Sequence, residues 1–186
     1  MNLSYLDRFS TLGFPSDYDA TFRTFYAQHD DCHGVLVALL GAVATSLTVL
    51  MFGYDDDELN GLIVKLMANR DVTVSVCLDA SQAGGLHERA ILAADKPYLG
   101  NSIVIGTSAF GHQISHEKGL CVDGRFTVGG STNWSQSGEG DSPSARQNNE
   151  LTVFDSRPRA QFFEYQAQLI RRFMATQMAA AARKPT

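Results

Sequence analysis

The chain has 186 residues, enough for one domain of ordinary size. Its 44% hydrophobic and 19% charged residues exclude wholesale disorder and collagen-like or fibrous structure. A formal net charge of −5 excludes a protein that coats nucleic acid by bulk positive charge, because such binding rests on Lys and Arg at the phosphates; an enzyme that handles one phosphodiester at a time remains open. The acidity is uneven. Residues 1–60 carry 2 basic and 9 acidic side chains and residues 141–186 carry 7 and 4, so an anionic ligand is expected on the C-terminal two-thirds.

Residues 1–20 read as an irregular lead-in, with Gly13, Pro15 and Asp17 as turn formers, ahead of a single domain over 21–183. Asp7 and Arg8 interrupt the first residues, so no signal peptide is expected. Thr21 to Tyr26 predicts a strand, and Asp30 or Asp31 caps a helix running to about Ala44. The uncharged run Val35 to Phe52 has the length of a short membrane span, but acidic residues flank it and Thr45-Ser46 breaks it. It reads as a buried helix followed by a strand from Leu47 to Tyr54. The triplet Asp55–Asp57 suits the positive end of a helix over 57–69, and Val72 to Leu78 is a strand. Gly84-Gly85 ends a turn before a helix from Leu86 to Ala94 closed by Pro97, and Ser102 to Thr107 is a strand. Lys118 to Val122 and Phe126 to Val128 form a hairpin turned at Asp123-Gly124. Ser135 to Gln147 reads as a loop, Leu151 to Phe154 as a strand, and Pro158 to about Arg183 as a long helix burying Phe162, Leu169, Phe173 and Met174. Together these elements predict an α/β fold in which a mixed, mostly parallel β-sheet is sandwiched by helices. Cys32, Cys77 and Cys121 are odd in number and lack CxxC spacing, which predicts free thiols in a reducing, cytoplasmic setting.

The chemistry concentrates in His116-Glu117-Lys118, four residues, Asp123, six residues, then Gly130-Ser131-Thr132-Asn133. Lys118 lies two residues from His116, so on a strand both side chains share a face and a fixed positive charge stands beside the imidazole. Ser131 and Asn133 repeat that spacing and offer hydrogen-bond donors for phosphate oxygens, and Gly129-Gly130 lets the backbone approach a ligand. Hydrolysing a phosphodiester without a metal needs a nucleophile, an acid for the leaving oxygen and positive groups on the non-bridging oxygens.

Written as HxKx4Dx6GSxN, this segment resembles the HKD motif of the phospholipase D superfamily, with all six fixed positions and both spacings intact. The similarity extends over roughly residues 22 to 175. It takes in the helix–strand–helix–strand unit ending near Asp79, and Asn148-Asn149-Glu150 resembles the acidic position that follows the motif in single-motif members. The resemblance implies His116, Lys118, Ser131, Asn133 and Glu150 as catalytic residues, with Glu150 orienting His116. Gly130 and Trp134 are expected at the substrate, and Asp123 holds a structural place at the turn. The family mechanism uses two motifs, one histidine attacking phosphorus to form a phosphohistidine and the other protonating the leaving group. Neither His87-Glu88-Arg89 nor His112 completes a second copy, so a homodimer with a shared site is implied.

The expected activity is a metal-independent phosphodiesterase without cofactor, first a nuclease on DNA or RNA in the manner of the family's small bacterial endonucleases. The alternatives are a phospholipase D-type hydrolase or phosphatidyl transferase on lipids, and a non-catalytic phosphate- or nucleic-acid-binding module. His29, His33, His87 and His112 are read as exposed or hydrogen-bonded structural histidines, Asp55–Asp57 as helix capping, and Arg146, Arg157 and Arg159 as solvated unless they reach phosphates. Trp134 reads equally well as core packing.

Overall fold

The computed structural model describes residues 1–82, 85–95, 102–107, 113–141, 144 and 146–183. Seven strands form one sheet: β1 (Phe22–Tyr26), β2 (Ser46–Met51), β3 (Thr73–Asp79), β4 (Ser102–Gly106), β5 (Lys118–Val122), β6 (Phe126–Gly130) and β7 (Glu150–Asp155). Their order across the sheet is β1-β7-β6-β5-β2-β3-β4. Among the described residues five α-helices accompany them: α1 (Cys32–Gly41), α2 (Asp57–Met67), α3 (Leu86–Ala94), α4 (Gln136–Glu139) and α5 (Arg157–Ala182).

The sheet is mixed and flanked by helices. Parallel pairing is confined to β2, β3 and β4, and the remaining pairs are antiparallel. The expectation of a mostly parallel sheet is therefore corrected. The β5–β6 hairpin packs beside β2 and carries β7 and β1 outward from it, which adds four antiparallel pairs.

Alternation along the strands sends side chains to two different cores. Leu47, Val49 and Met51 of β2, with Val74, Val76 and Leu78 of β3, join the main cluster, where they meet Val35, Leu36, Leu39 and Leu40 of α1 and Leu59 and Ile63 of α2. α1 is apolar on nearly every side and is buried accordingly, starting where the Asp31 side chain accepts from the Gly34 N–H. On the opposite face Leu50 and Cys77 pack against Ala167 and Met174 of α5. There Thr48 donates to Glu164 at 2.8 Å and Arg171 reaches the Ser75 hydroxyl at 3.2 Å.

Four local expectations change. Residues 3–9 of the lead-in form a 3-10 helix that buries Leu3 and Leu6. The loop after Trp134 contains the single turn α4, capped by Ser135. α5 docks through Ala160, Phe163, Ala167, Ile170 and Met174, so Phe162 and Phe173 point outward, 66% and 47% exposed. The apolar residues of this helix form two adjacent stripes, and the sheet takes the one set off by a single position. Trp134 is only 1% exposed. It packs edge-on against Tyr54 at a centroid distance of 5.9 Å, so of its two expected places, at the substrate or in the core, the structure favours the core. His112, Gly84, Pro97 and Pro143 lie outside the described residues. Among the described residues no helix is long and apolar enough to cross a membrane.

Candidate active site

The motif residues gather where the chain leaves β2. The Phe52 N–H donates to the Glu117 carbonyl at 2.8 Å, and the Trp134 N–H donates to the Gly53 carbonyl at 3.2 Å. Phe52-Gly53 is thus held between the two halves of the motif. The Phe52 ring stands edge-on to His116 with centroids 4.8 Å apart, and the Lys118 ammonium lies 5.2 Å from the same ring centroid. Gly53 faces the Asn133 side chain, where an added Cβ would lie 3.4 Å from it. His116 and Lys118 both approach this one aromatic ring, which the sequence pattern does not single out.

His116 is exposed just ahead of β5, whereas Lys118 is its first, buried residue. The Lys118 ammonium donates to the His116 carbonyl at 3.1 Å. Burial pulls the ammonium's pKa below its ordinary 10.5, opposed by the neighbouring Glu117 carboxylate. A second support lies upstream. Asp79, fully buried at the end of β3, accepts from the Ser81 N–H and hydroxyl and from the Ser115 N–H next to His116. Asp79 holds Ser115 from 36 positions away in sequence, with no local signal to reveal it.

Asn133 Oδ1 is buried and, among the described residues, has no hydrogen-bond partner. An unfilled acceptor costs about 1–3 kcal/mol in a sealed interior and is tolerated where a ligand can complete it. Ser131 is exposed, and its hydroxyl accepts from the Glu150 N–H at 3.1 Å. The Ser131 N–H returns the bond to the Glu150 carbonyl at 3.1 Å, and the Thr132 hydroxyl donates to the same carbonyl at 2.8 Å. Gly130 makes this clamp possible: at φ +148 its backbone passes so close to Glu150 that a Cβ would meet the carbonyl oxygen at 2.2 Å. Its glycine character therefore serves the β6–β7 approach. Gly130 still borders a cleft of about 600 Å³ with Tyr26, Gln28, Ser131, Asn148, Asn149 and Glu150.

The Glu150 side chain is exposed and, among the described residues, makes no hydrogen bond to His116. Among those residues Glu150 meets the motif through its backbone, at Ser131 and Thr132. Asp123 holds its structural place fully: its carboxylate accepts from the Ala44, Thr45 and Ser46 N–H groups and the Thr45 hydroxyl at 2.8–3.2 Å. Arg159 is also structural, its guanidinium 3.7 Å from the Phe154 ring centroid and bonded to the Thr127 hydroxyl.

A family model described as "Cardiolipin synthase, PLD-like domain" matches residues 36–175. The fold is similar to that of NucT from Helicobacter pylori, with a TM-score of 0.65 at 13% identity over 80% of this chain and 94% of that one. It is similar also to Nuc from Salmonella typhimurium, a phospholipase D family member, with a TM-score of 0.61 at 19% identity over 81% of this chain and 93% of that one. A phosphatidylserine synthase of Haemophilus influenzae aligns with a TM-score of 0.58 at 14% identity over 82% of this chain and 39% of that one. A search of curated protein sequences finds no match.

Proposed function

The chain belongs to the phospholipase D superfamily, and from that premise we propose that it is a metal-independent phosphodiesterase, foremost a nuclease on DNA or RNA, working at a site shared by two subunits. The observation that carries this reading is one intact motif per chain, with His116 exposed beside the buried ammonium of Lys118.

In the proposed reaction the His116 imidazole of one subunit attacks phosphorus. The bond to the leaving oxygen breaks, and that oxygen takes the proton of the partner subunit's His116. Water then attacks the phosphohistidine and gives its proton to that second imidazole. The P–N bond breaks, releasing a phosphate monoester and restoring both histidines. The Lys118 ammonium and the Asn133 amide N–H are directed at non-bridging oxygens, where charge builds in the transition state. The resemblance of a small, one-motif chain to the family's endonucleases places nucleic acid first.

A phospholipid substrate is the second reading. It is favoured by the description of the matching family model and by the exposed Phe162, Tyr165 and Phe173 along one side of α5. The test is a substrate panel in EDTA, at a temperature where the chelated chain is folded: single- and double-stranded DNA, RNA, a bis-nitrophenyl phosphate and phosphatidylcholine vesicles. We expect turnover of a nucleic acid and its loss in His116→Ala. Activity that survives the substitution would remove the mechanism, and turnover of the vesicles alone would reverse the order of substrates. No turnover of any of them by a folded dimer would favour a phosphate- or nucleic-acid-binding module.

A further inference from the structure

Outside the motif, three chemistry-bearing side chains from three helices converge. His33 stands in the first turn of α1, Asp56 caps α2 and Glu139 ends α4. Glu139 Oε2 lies 2.7 Å from His33 Nδ1 and Asp56 Oδ2 lies 3.3 Å from that same nitrogen. One donor atom from each residue falls within 4.8 Å of the others. Asp56 is free to serve here because its cap uses the other oxygen: Oδ1 accepts from the Leu59 N–H at 2.7 Å. On the far side of the ring Glu58 Oε2 lies 3.1 Å from Nε2.

Hydrogen bonding alone accounts poorly for this arrangement. The imidazole offers a single N–H at Nδ1, and two carboxylates face it. The Glu139 side chain is wholly buried, yet among the described residues its Oε1 has no hydrogen-bond partner. Two carboxylates brought together in a dry interior repel each other. A divalent cation answers all three features, since it accepts one nitrogen and several carboxylate oxygens at about 2.0–2.2 Å and cancels their charge. The Glu58 contact then has a purpose as well: a carboxylate on the outer nitrogen of a ligating histidine fixes the tautomer that leaves Nδ1 free for the metal.

We propose that His33, Asp56 and Glu139 form a structural divalent-cation site of the zinc class, with Glu58 orienting the histidine. The donor set of one imidazole and two carboxylates suits a first-row metal such as Zn²⁺. The ion would tie α1, α2 and α4 together just past the segment that carries Asn133 and Trp134. This inference is independent of the proposed hydrolysis, whose groups it does not touch.

The test uses the whole chain, stripped with chelator, dialysed, and titrated with Zn²⁺ by calorimetry and with Co²⁺ by visible absorption. We expect saturable binding of one ion per chain, ligand-field bands from Co²⁺, and a melting temperature that climbs with free Zn²⁺ as binding to the native state requires. Glu139→Gln and Asp56→Asn should abolish binding. Both keep the side chain's size, and asparagine preserves the helix cap. Glu58→Gln should weaken binding by about 10–100-fold. His29→Asn, at an exposed histidine, should leave it unchanged. Absence of saturable binding and of any thermal shift in the wild-type chain would overturn the proposal in favour of a histidinium held by carboxylates. Equal binding by Glu139→Gln would overturn it in favour of an adventitious surface ion.

Discussion

Lys118 combines a charge with burial, being only 8% exposed, and that combination sets its behaviour with pH. Taking an ammonium out of water favours its neutral form, so the folded pKa lies below the ordinary 10.5. In the proposed hydrolysis the working form is the cation. It is fully present below the lowered value and disappears as pH rises through it, so the alkaline fall in kcat/KM should begin earlier than a solvated lysine allows. Stability moves the other way in the same window. Between the lowered folded value and 10.5 the fold binds fewer protons than the unfolded chain, and it gains stability as pH rises. A pH–rate profile beside a pH series of urea melts checks both signs, and an alkaline limb at or above 10.5 would show that another group governs it. Lys118→Ala should cost about 10²–10³-fold in kcat, the usual effect of removing one preorganised donor to a developing anion. Lys118→Arg should recover part of that loss and move the alkaline limb upward, because guanidinium stays charged.

Asp123 works at the level of elements. It sits at φ +52 and Gly124 at φ +58, the pair of positive angles that a tight hairpin between β5 and β6 requires. From that turn its carboxylate reaches across to the loop between α1 and β2. Burial alone would raise its pKa, but the N–H groups of Ser46, Thr45 and Ala44 outweigh burial and hold it below the ordinary 3.8. Because the folded value is depressed, the stabilisation is complete above 3.8 and is lost as pH falls through the folded value. Asp123→Ala should therefore lower unfolding free energy at neutral pH by about 2 kcal/mol, the scale of losing charged hydrogen bonds at a partly exposed site. Its denaturation midpoint should also depend less on pH below 5 than the wild type's, roughly the range where a carboxylate of this kind releases its stabilisation. A midpoint unchanged by the substitution would remove Asp123 from the hairpin's support.

That hairpin also shows what a sequence can reveal and where it stops. Lys118 to Gly130 was legible because turn chemistry, strand alternation and motif spacing all act within a dozen residues. The same locality narrows the helix starts to Asp30 or Asp31 and to the triplet Asp55–Asp57, where the caps are Asp31 and Asp56. Contacts set by topology were not readable. Asp79 supports Ser115 across 36 positions, and Glu139 meets His33 across 106. The place of Trp134 is not readable for a related reason. An aromatic residue after a catalytic segment has no spacing rule that tells pocket from core, and only the Tyr54 contact decides it.

At the scale of the whole molecule, the decisive quantity is how many chains make one active site. A single chain offers one motif histidine, and among the described residues its Glu150 carboxylate makes no hydrogen bond to it. If the reaction needs a second imidazole for the leaving oxygen, a dimer of one wild-type and one His116→Ala chain has a nucleophile or an acid but never both. Wild-type and His116→Ala chains mixed in equal amounts and allowed to exchange should then retain about a quarter of the wild-type activity per chain, since only dimers with two intact histidines work. Chains that each carry a complete site would retain about half. Native mass spectrometry of the same mixture resolves the mixed dimer by mass and so establishes that exchange has occurred. The wild-type specific activity should also fall on dilution in step with the loss of dimer. Half-activity with proven exchange, or a monomer that turns over at full rate, would show that the proton donor lies within the chain and would direct the search to groups near Phe52 and the Ser131–Glu150 cleft.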